Sequence, residues 1–330
     1  MRIEAVADPE IESPDEVLIK VRNVGVCGSD CHFYEHGRIG DFVVRSPLVL
    51  GHECSGEIVE TGSAVRGLSA GDLVTPEPGL PCRRCRFCKT GRYNLCPHVK
   101  FMATPPFNGA FCEYLVWPSD FVFKIPEGVS LEEAATVEPL AVGVYSARRG
   151  RVQTGDAVAV LGCGPIGLVT MQACAAQGAT TMIASDINPS RLAFARSFGA
   201  IAVSPDEFEN AVDDVTDGLG ADAVFETAGT VATTQQALKV ARKGACVVLV
   251  GLPPESPMPY DIVGAICKEV DIMGIFRYAN CFLPALSLLA AGKVKTSDMI
   301  TDRFTLDQAE EALKVSLERS SGLVKAMVVV

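Results

Sequence analysis

Cys82, Cys85, Cys88 and Cys96 crowd one short basic and polar stretch, PCRRCRFCKTGRYNLC. The CxxCxxC spacing, followed by seven residues and a fourth cysteine, puts four thiolates within reach of one tetrahedral ion at little cost in loop entropy. Four sulfurs leave no open coordination position, so such a site is structural. Arg83, Arg84, Arg86 and Lys89 stand beside the thiolates and offset their charge. Unpaired surface thiols are the competing reading, but exposed free cysteines oxidise.

A second set mixes sulfur, nitrogen and oxygen: Cys27 in VGVCGSD with His52 and Glu53 in LGHECSGEIVETG. Mixed ligands suit a zinc that keeps a position for water or substrate. A histidine beside a glutamate is otherwise read as a buried hydrogen-bonded pair. The glycines at 51, 56 and 62 point to backbone passing close to something, which favours the ligand reading. Glu138, in ATVEPLAVG, is a further acid that faces the same site if the chain turns there. Zinc at such a site would polarise an alcohol so that hydride can leave its carbon for a nicotinamide. Ser29 and His32, two and five residues past Cys27, are placed either to relay the proton to solvent or simply to cap a turn and lie on the surface.

The nicotinamide itself is expected at AVAVLGCGPIGL, where Gly162, Gly164 and Gly167 follow an apolar strand and precede a helix. In that context the first glycine makes a tight turn, the second admits a pyrophosphate and the third lets helix pack on strand. Alone, the pattern is also that of a plain tight turn. Nineteen residues past Gly167, Asp186 ends the next strand. There a carboxylate accepts from the ribose hydroxyls and repels a 2′-phosphate, which favours NAD over NADP. Asp186 or Ser190 is alternatively the N-cap of the following helix. Arg191 lies either over the adenine or in solvent.

The elements that must position these residues fall into two rhythms. Residues 15 to about 125 read as short β segments cut by Gly, Pro and Asp, an irregular β-rich domain. From about residue 140 strands and helices alternate: DAVAVLG, TMIASD, AIAVS, ADAVFETAG, ACVVLVG and VDIMGIF supply six strands, with helices at PIGLVTMQACAAQ, SRLAFARSFG and TTQQALKVARK. Six strands with interposed helices imply a doubly wound parallel sheet and an α/β fold. A helix LPALSLLAAG, a helix opening with a Thr305/Gln308 capping box and a last strand GLVKAMVVV complete the chain. Cys163, Cys174, Cys246 and Cys267 lie in these apolar patterns and read as small core residues.

The 330 residues allow two domains at roughly 150 residues each. The formal net charge of −11 argues against nucleic acid and anionic membrane surfaces as partners. The first residues, MRIEAVADPEIESPDEVLIK, lack the basic start and apolar core of a signal peptide, and no apolar run is long enough to span a bilayer. A soluble cytoplasmic protein is expected, and its thirteen cysteines fit metal binding and buried thiols better than disulfides.

Taken together, GVCGSD, GHECSGEIVETG, CRRCRFCKTGRYNLC and GCGPIG resemble the zinc-containing medium-chain dehydrogenases over essentially the whole chain. YEHGRIGDFVV, GRYNLCPHVKFMATPPFNGAF, VEPLAVGVYSARR and IFRYANCFLPAL look most like the sorbitol and xylitol dehydrogenase branch. The resemblance implies a GroES-like catalytic domain at 1–139 and 280–330 with a Rossmann domain at 140–279. It implies two zincs, a catalytic one on Cys27, His52 and Glu53 with Glu138 as an occasional or water-bridged ligand, and a structural one on the four cysteines. It also implies NAD lined by Pro165, Ile166, Asp186, Arg191, Val250, Gly251, Leu252 and Phe276, substrate contacts from Arg277 and Tyr278, and a homotetramer. Phe33 stands where animal sorbitol dehydrogenases place a tyrosine that contacts the polyol. Relatives also begin with an additional strand, so either that edge is absent here or the chain is a truncated reading. The intact cysteine stretch is like that of the bacterial polyol dehydrogenases, whereas animal ones have lost it.

The implied activity is NAD-dependent oxidation of a secondary hydroxyl of a polyol to the ketose. Within the family the alternatives are another alcohol, L-threonine or butanediol. Outside it they are a zinc-ribbon module binding nucleic acid or protein, or a binding protein that keeps the fold without turnover.

Overall fold

The computed structural model describes residues 1–253, 257–318 and 322–330. The chain divides into two compact units, one of Met1–Glu138, Phe282–Gly292 and Thr296–Val330, the other of Pro139–Cys281 and Lys293–Lys295.

In the first unit a mixed sheet runs in the order Ile300–Thr305, Lys325–Val329, Glu16–Gly25, Glu53–Thr61, Leu73–Pro76 and Val122–Lys124, with Tyr114–Pro118 also paired to Glu16–Gly25. Strand Glu16–Gly25 shows why. Its residues alternate between half-buried and buried as far as Val21, the period-2 pattern of a strand with one covered face. Pairing is irregular between Val21 and Asn23, and the alternation gives way just after it, so that Asn23, Val24 and Gly25 are all buried. The strand thus leaves the sheet at the core and delivers the half-buried Cys27 at its margin. Val24, Val26, Leu50, Cys54, Phe111, Leu313 and Val328 pack around this exit, while Val17, Ile19, Ile58, Val74 and Val122 form a second cluster under the sheet.

The second unit is a six-stranded parallel sheet ordered Ile201–Val203, Thr181–Ser185, Ala157–Leu161, Ala221–Glu226, Ala241–Leu249 and Asp271–Gly274. Numbered along the chain this is 3-2-1-4-5-6, the Rossmann order. The central strands are nearly continuous apolar runs because helices cover both faces.

Two expectations are corrected. The helix read from TTQQALKVARK ends at Val240, and Ala241 already opens the next strand. The Lys268 ammonium takes the carbonyls of Leu238, Lys239 and Ala241 at 3.0, 2.6 and 2.8 Å, satisfying the helix end without another turn. Cys163, Cys174 and Cys246 are buried as expected, but Cys267 is exposed. Its short helix, Ile262–Lys268, buries Ala265 alone, so the apolar pattern there faces outward.

Candidate metal and nucleotide sites

Cys27 is the N-cap of helix Gly28–His36, and His52 and Glu53 open strand Glu53–Thr61. One ligand atom from each lies within 4.8 Å of the others. The helix start and the strand start are drawn together at Gly51, whose φ is +86° and whose place admits no side chain: a Cβ there would meet Val24 and Phe111 at 2.9 and 2.8 Å.

The residue that ties the set together is Asp30, which sequence reasoning missed. It is fully buried; Oδ1 accepts from the Gly51 amide at 2.9 Å and lies 3.5 Å from His52 Nδ1, while Oδ2 accepts from the Cys27 amide at 3.0 Å. One carboxylate therefore fixes the backbone of both loops and orients the imidazole. Burial works to raise the Asp30 carboxyl, but His52 and the two amides hold it below the usual range. Burial likewise works to lower His52, yet Asp30 and Cys27 raise it well above its ordinary value. A thiol, an imidazole and a carboxylate that converge in this way are a donor set that fits a metal cation. The available signal was the aspartate three residues past Cys27, in CGSD.

Lys325 was missed as well, and no local pattern marks it. It is buried, its Nζ donates to the Val26 carbonyl at 2.8 Å, and it forms an ion pair with the Glu53 carboxylate. Burial disfavours its charge, but Glu53, Cys27 and Glu138 more than restore it.

The other expected residues of this site are spread around it. Glu138, at the start of helix Val137–Arg149, is buried and within electrostatic reach of Lys325, but does not join the group of three donors. Ser29 is half-buried in the first turn of its helix and His32 is exposed one turn on. Phe33 is buried among core side chains, where its ring offers no hydrogen bond.

The four cysteines also converge, with one sulfur each inside 4.8 Å. Cys82 and Cys85 sulfurs lie 4.0 and 3.4 Å from that of Cys88, too far for disulfides, and the amides of Cys82 and His98 point at the Cys96 sulfur from 3.3 and 3.4 Å. Backbone N–H groups of Arg84 and Cys85 bring Cys82 down to about 6, as a thiolate ligand requires. Burial and the hydrogen bonds with Cys85, Cys96 and Cys82 push Cys88 up to about 12. Arg83, Arg84, Arg86 and Lys89 are exposed around the cluster. The lobe is anchored by the Tyr93 hydroxyl, which donates to the buried Glu77 carboxylate at 2.8 Å, and by Arg83, which donates to Asp120 at 2.7 Å.

In the second unit Gly162 turns the chain with φ +100° after strand Ala157–Leu161, Gly164 is the N-cap and Pro165 the first residue of helix Pro165–Gln177. A Cβ at Gly167 would collide with the Gly162 carbonyl, whereas one at Gly164 would meet nothing within 4 Å. The third glycine is thus a packing requirement and the second leaves an open approach to the helix N-terminus, as a pyrophosphate needs.

Asp186 accepts from the Cys163 amide through Oδ2 and from the Asn188 amide through Oδ1, both at 2.8 Å. It is not the helix N-cap; Asn188 is, accepting from the Ser190 amide at 2.9 Å, which also removes Ser190 from that role. Its carboxylate joins the glycine turn to the turn after the next strand, and each oxygen keeps a lone pair. Arg191 Nε, in the first turn of helix Pro189–Ser197, is buried without a hydrogen-bond partner, an orphan donor within electrostatic reach of Cys163. Ile166, Val250 and Gly251 are half-buried and Leu252 exposed; Val250 and Gly251 donate their amides to the Glu226 carbonyl at 2.9 and 3.0 Å. Phe276 is exposed with the Arg277 guanidinium 4.8 Å from its ring centre, and Tyr278 is buried. Apart from Phe276 to Tyr278, which follow the last strand of the sheet, these residues gather at the carboxyl ends of the central strands.

Two family models match the chain: the alcohol dehydrogenase GroES-like domain over residues 13–127 and the zinc-binding dehydrogenase over residues 165–291. It is 44% identical to a sorbitol dehydrogenase of Bacillus subtilis, over 99% of this chain and 94% of that protein. With D-xylulose reductase A of Aspergillus niger the identity is 41%, over 93% and 87%. A solved structure of a zinc-binding dehydrogenase from Sinorhizobium meliloti, bound to NADP, superposes with a TM-score of 0.90 at 33% identity, over 98% of this chain and 94% of that one.

Proposed function

The chain belongs to the zinc-containing medium-chain dehydrogenases, in their sorbitol and xylitol dehydrogenase branch, and on that premise we propose that it oxidises a secondary hydroxyl of a polyol to the ketose, with NAD as acceptor. The observation that carries this reading is the convergence of Cys27, His52 and Glu53 within 4.8 Å, a one-thiolate set that leaves room for a substrate oxygen. When bound, zinc supplies Lewis acidity to the hydroxyl and the nicotinamide takes the hydride.

The chain's own residues do the rest. Asp30 holds His52 by Nδ1, which leaves Nε2 as the donor, and keeps the Cys27 backbone in place. Ser29 and His32 are the proposed path for the hydroxyl proton, one half-buried and the other at the surface. Asp186 accepts from the adenosine ribose with its remaining lone pairs and excludes a 2′-phosphate by charge, which supports NAD, while Arg191 on the helix that follows carries an unused buried donor. Val250, Gly251, Leu252 and Phe276 line the coenzyme, and Arg277 and Tyr278 contact the polyol.

The four cysteines hold a second, structural zinc. Homotetramer formation is supported by the exposed edge strand Asp271–Gly274 and the outward Ile262, Val263 and Ile266, which a second copy would cover. A cytoplasmic location is supported by the thirteen free cysteines, which suit a reducing compartment; among the described residues no helix is long and apolar enough to cross a membrane.

Metal analysis together with an NAD reduction screen over xylitol, sorbitol, ribitol, threonine and butanediol tests the reading. NADH should form with polyols. Turnover with threonine or butanediol alone would move the chain to another branch. Salt-sensitive DNA binding without stabilisation by NADH would favour the zinc-ribbon alternative instead.

A further inference from the structure

Among the described residues Lys325 is the only lysine or arginine that is buried. Its strand, Lys325–Val329, pairs with Glu16–Gly25, and Gly25 in turn lies opposite Glu53 on the next strand. A Cβ on Gly25 would run into the Glu53 carboxylate and come within 3.0 Å of Lys325 Cε. Glycine at that position makes the space in which ammonium and carboxylate meet. Neither group reaches water, and each is the other's counter-ion.

A buried ion pair is a poor way to gain stability, because desolvating both charges offsets their attraction, yet removing one partner strands the other as an uncompensated buried charge. Here the anion of the pair is also one of three donors converging on a cation site. A metal ion arriving at Cys27 and His52 finds a carboxylate already neutralised by an ammonium.

Resting on the reading of Cys27, His52 and Glu53 as a metal centre, we infer that Lys325 is a positioning residue that holds the Glu53 carboxylate against the pull of the bound cation. The lysine lowers the metal affinity of the mixed site and, in return, keeps the metal-free fold free of an unpaired buried charge.

The test uses the full chain, stripped of metal and titrated with cobalt(II) against a competing chelator. Cobalt held by four thiolates absorbs far more strongly in its sulfur-to-metal band than cobalt held by one, so the two sites are read separately. Lys325→Met should tighten cobalt binding at the mixed site by about tenfold or more and lower the melting temperature of the stripped chain, with cobalt restoring it. In a Glu53→Gln background the same lysine substitution should change affinity less than about threefold.

Lys325→Gln, which keeps an N–H for the Val26 carbonyl and for Glu53, replaces the methionine variant if that one does not fold; the same tightening is expected. Unchanged or weaker affinity without the lysine overturns the inference. So does a tenfold tightening that persists with Gln at position 53, since the lysine would then act on Cys27 or on the cation itself and not through the carboxylate. No cobalt at the mixed site of the unmodified chain would overturn the metal reading itself, whereas uptake indifferent to Lys325 sinks this inference alone.

Discussion

Asp30 does more per atom than any other residue of the mixed site: one buried carboxylate receives two backbone amides and faces the imidazole. Asp30→Ala strands both amides, each worth about 1–3 kcal/mol when buried and unpaired, and should cost about 10–100-fold in zinc affinity, read by chelator competition. Wild-type affinity in that variant would show that the orientation of His52 is set elsewhere. At the coenzyme turn Asp186 is at once a brace for Cys163 and the expected ribose acceptor. Asp186→Ala should weaken NAD and narrow its advantage over NADP, measured as the ratio of kcat/KM values. An unchanged ratio would reduce Asp186 to its bracing role.

Among the elements, the cysteine lobe is held by its sulfurs and by few side chains of its own: within Arg86–Lys89 no residue is buried. Cys96→Ser should therefore remove one zinc per chain and lower the melting temperature before it affects coenzyme binding, as metal analysis and calorimetry would register. The anchor of that lobe responds to pH. Burial pushes Glu77 up to about 7 against the opposing Tyr93 hydrogen bond, with Glu138 adding to the rise. Between its ordinary 4.5 and about 7 the folded chain keeps a proton that the unfolded chain has released. Stability should fall as pH rises through that window, by roughly 3 kcal/mol, and Glu77→Gln should flatten the slope in denaturant titrations. A wild-type slope in the variant would assign the titration to another group.

For the whole molecule, each unit carries its own core and its own candidate site. His52→Ala should abolish turnover while NADH affinity stays within about threefold, followed by coenzyme fluorescence. Loss of NADH binding in that variant would show that the metal site and the coenzyme turn depend on each other for folding.

The cysteine stretch, the glycine turn with Asp186 and the six strands of the doubly wound parallel sheet were legible in the sequence because each depends on spacing within one turn, one loop or one run of alternating elements. Cys267 misled for the same reason: an apolar neighbourhood in sequence says which face is greasy, not whether another element covers it. The join of Cys27 to His52 through Asp30, and the counter-ion that Glu53 finds in Lys325, were decided only by tertiary structure. Sheet pairing brings the chain's last strand beside its first, and no local periodicity encodes which distant residue will meet a buried charge there.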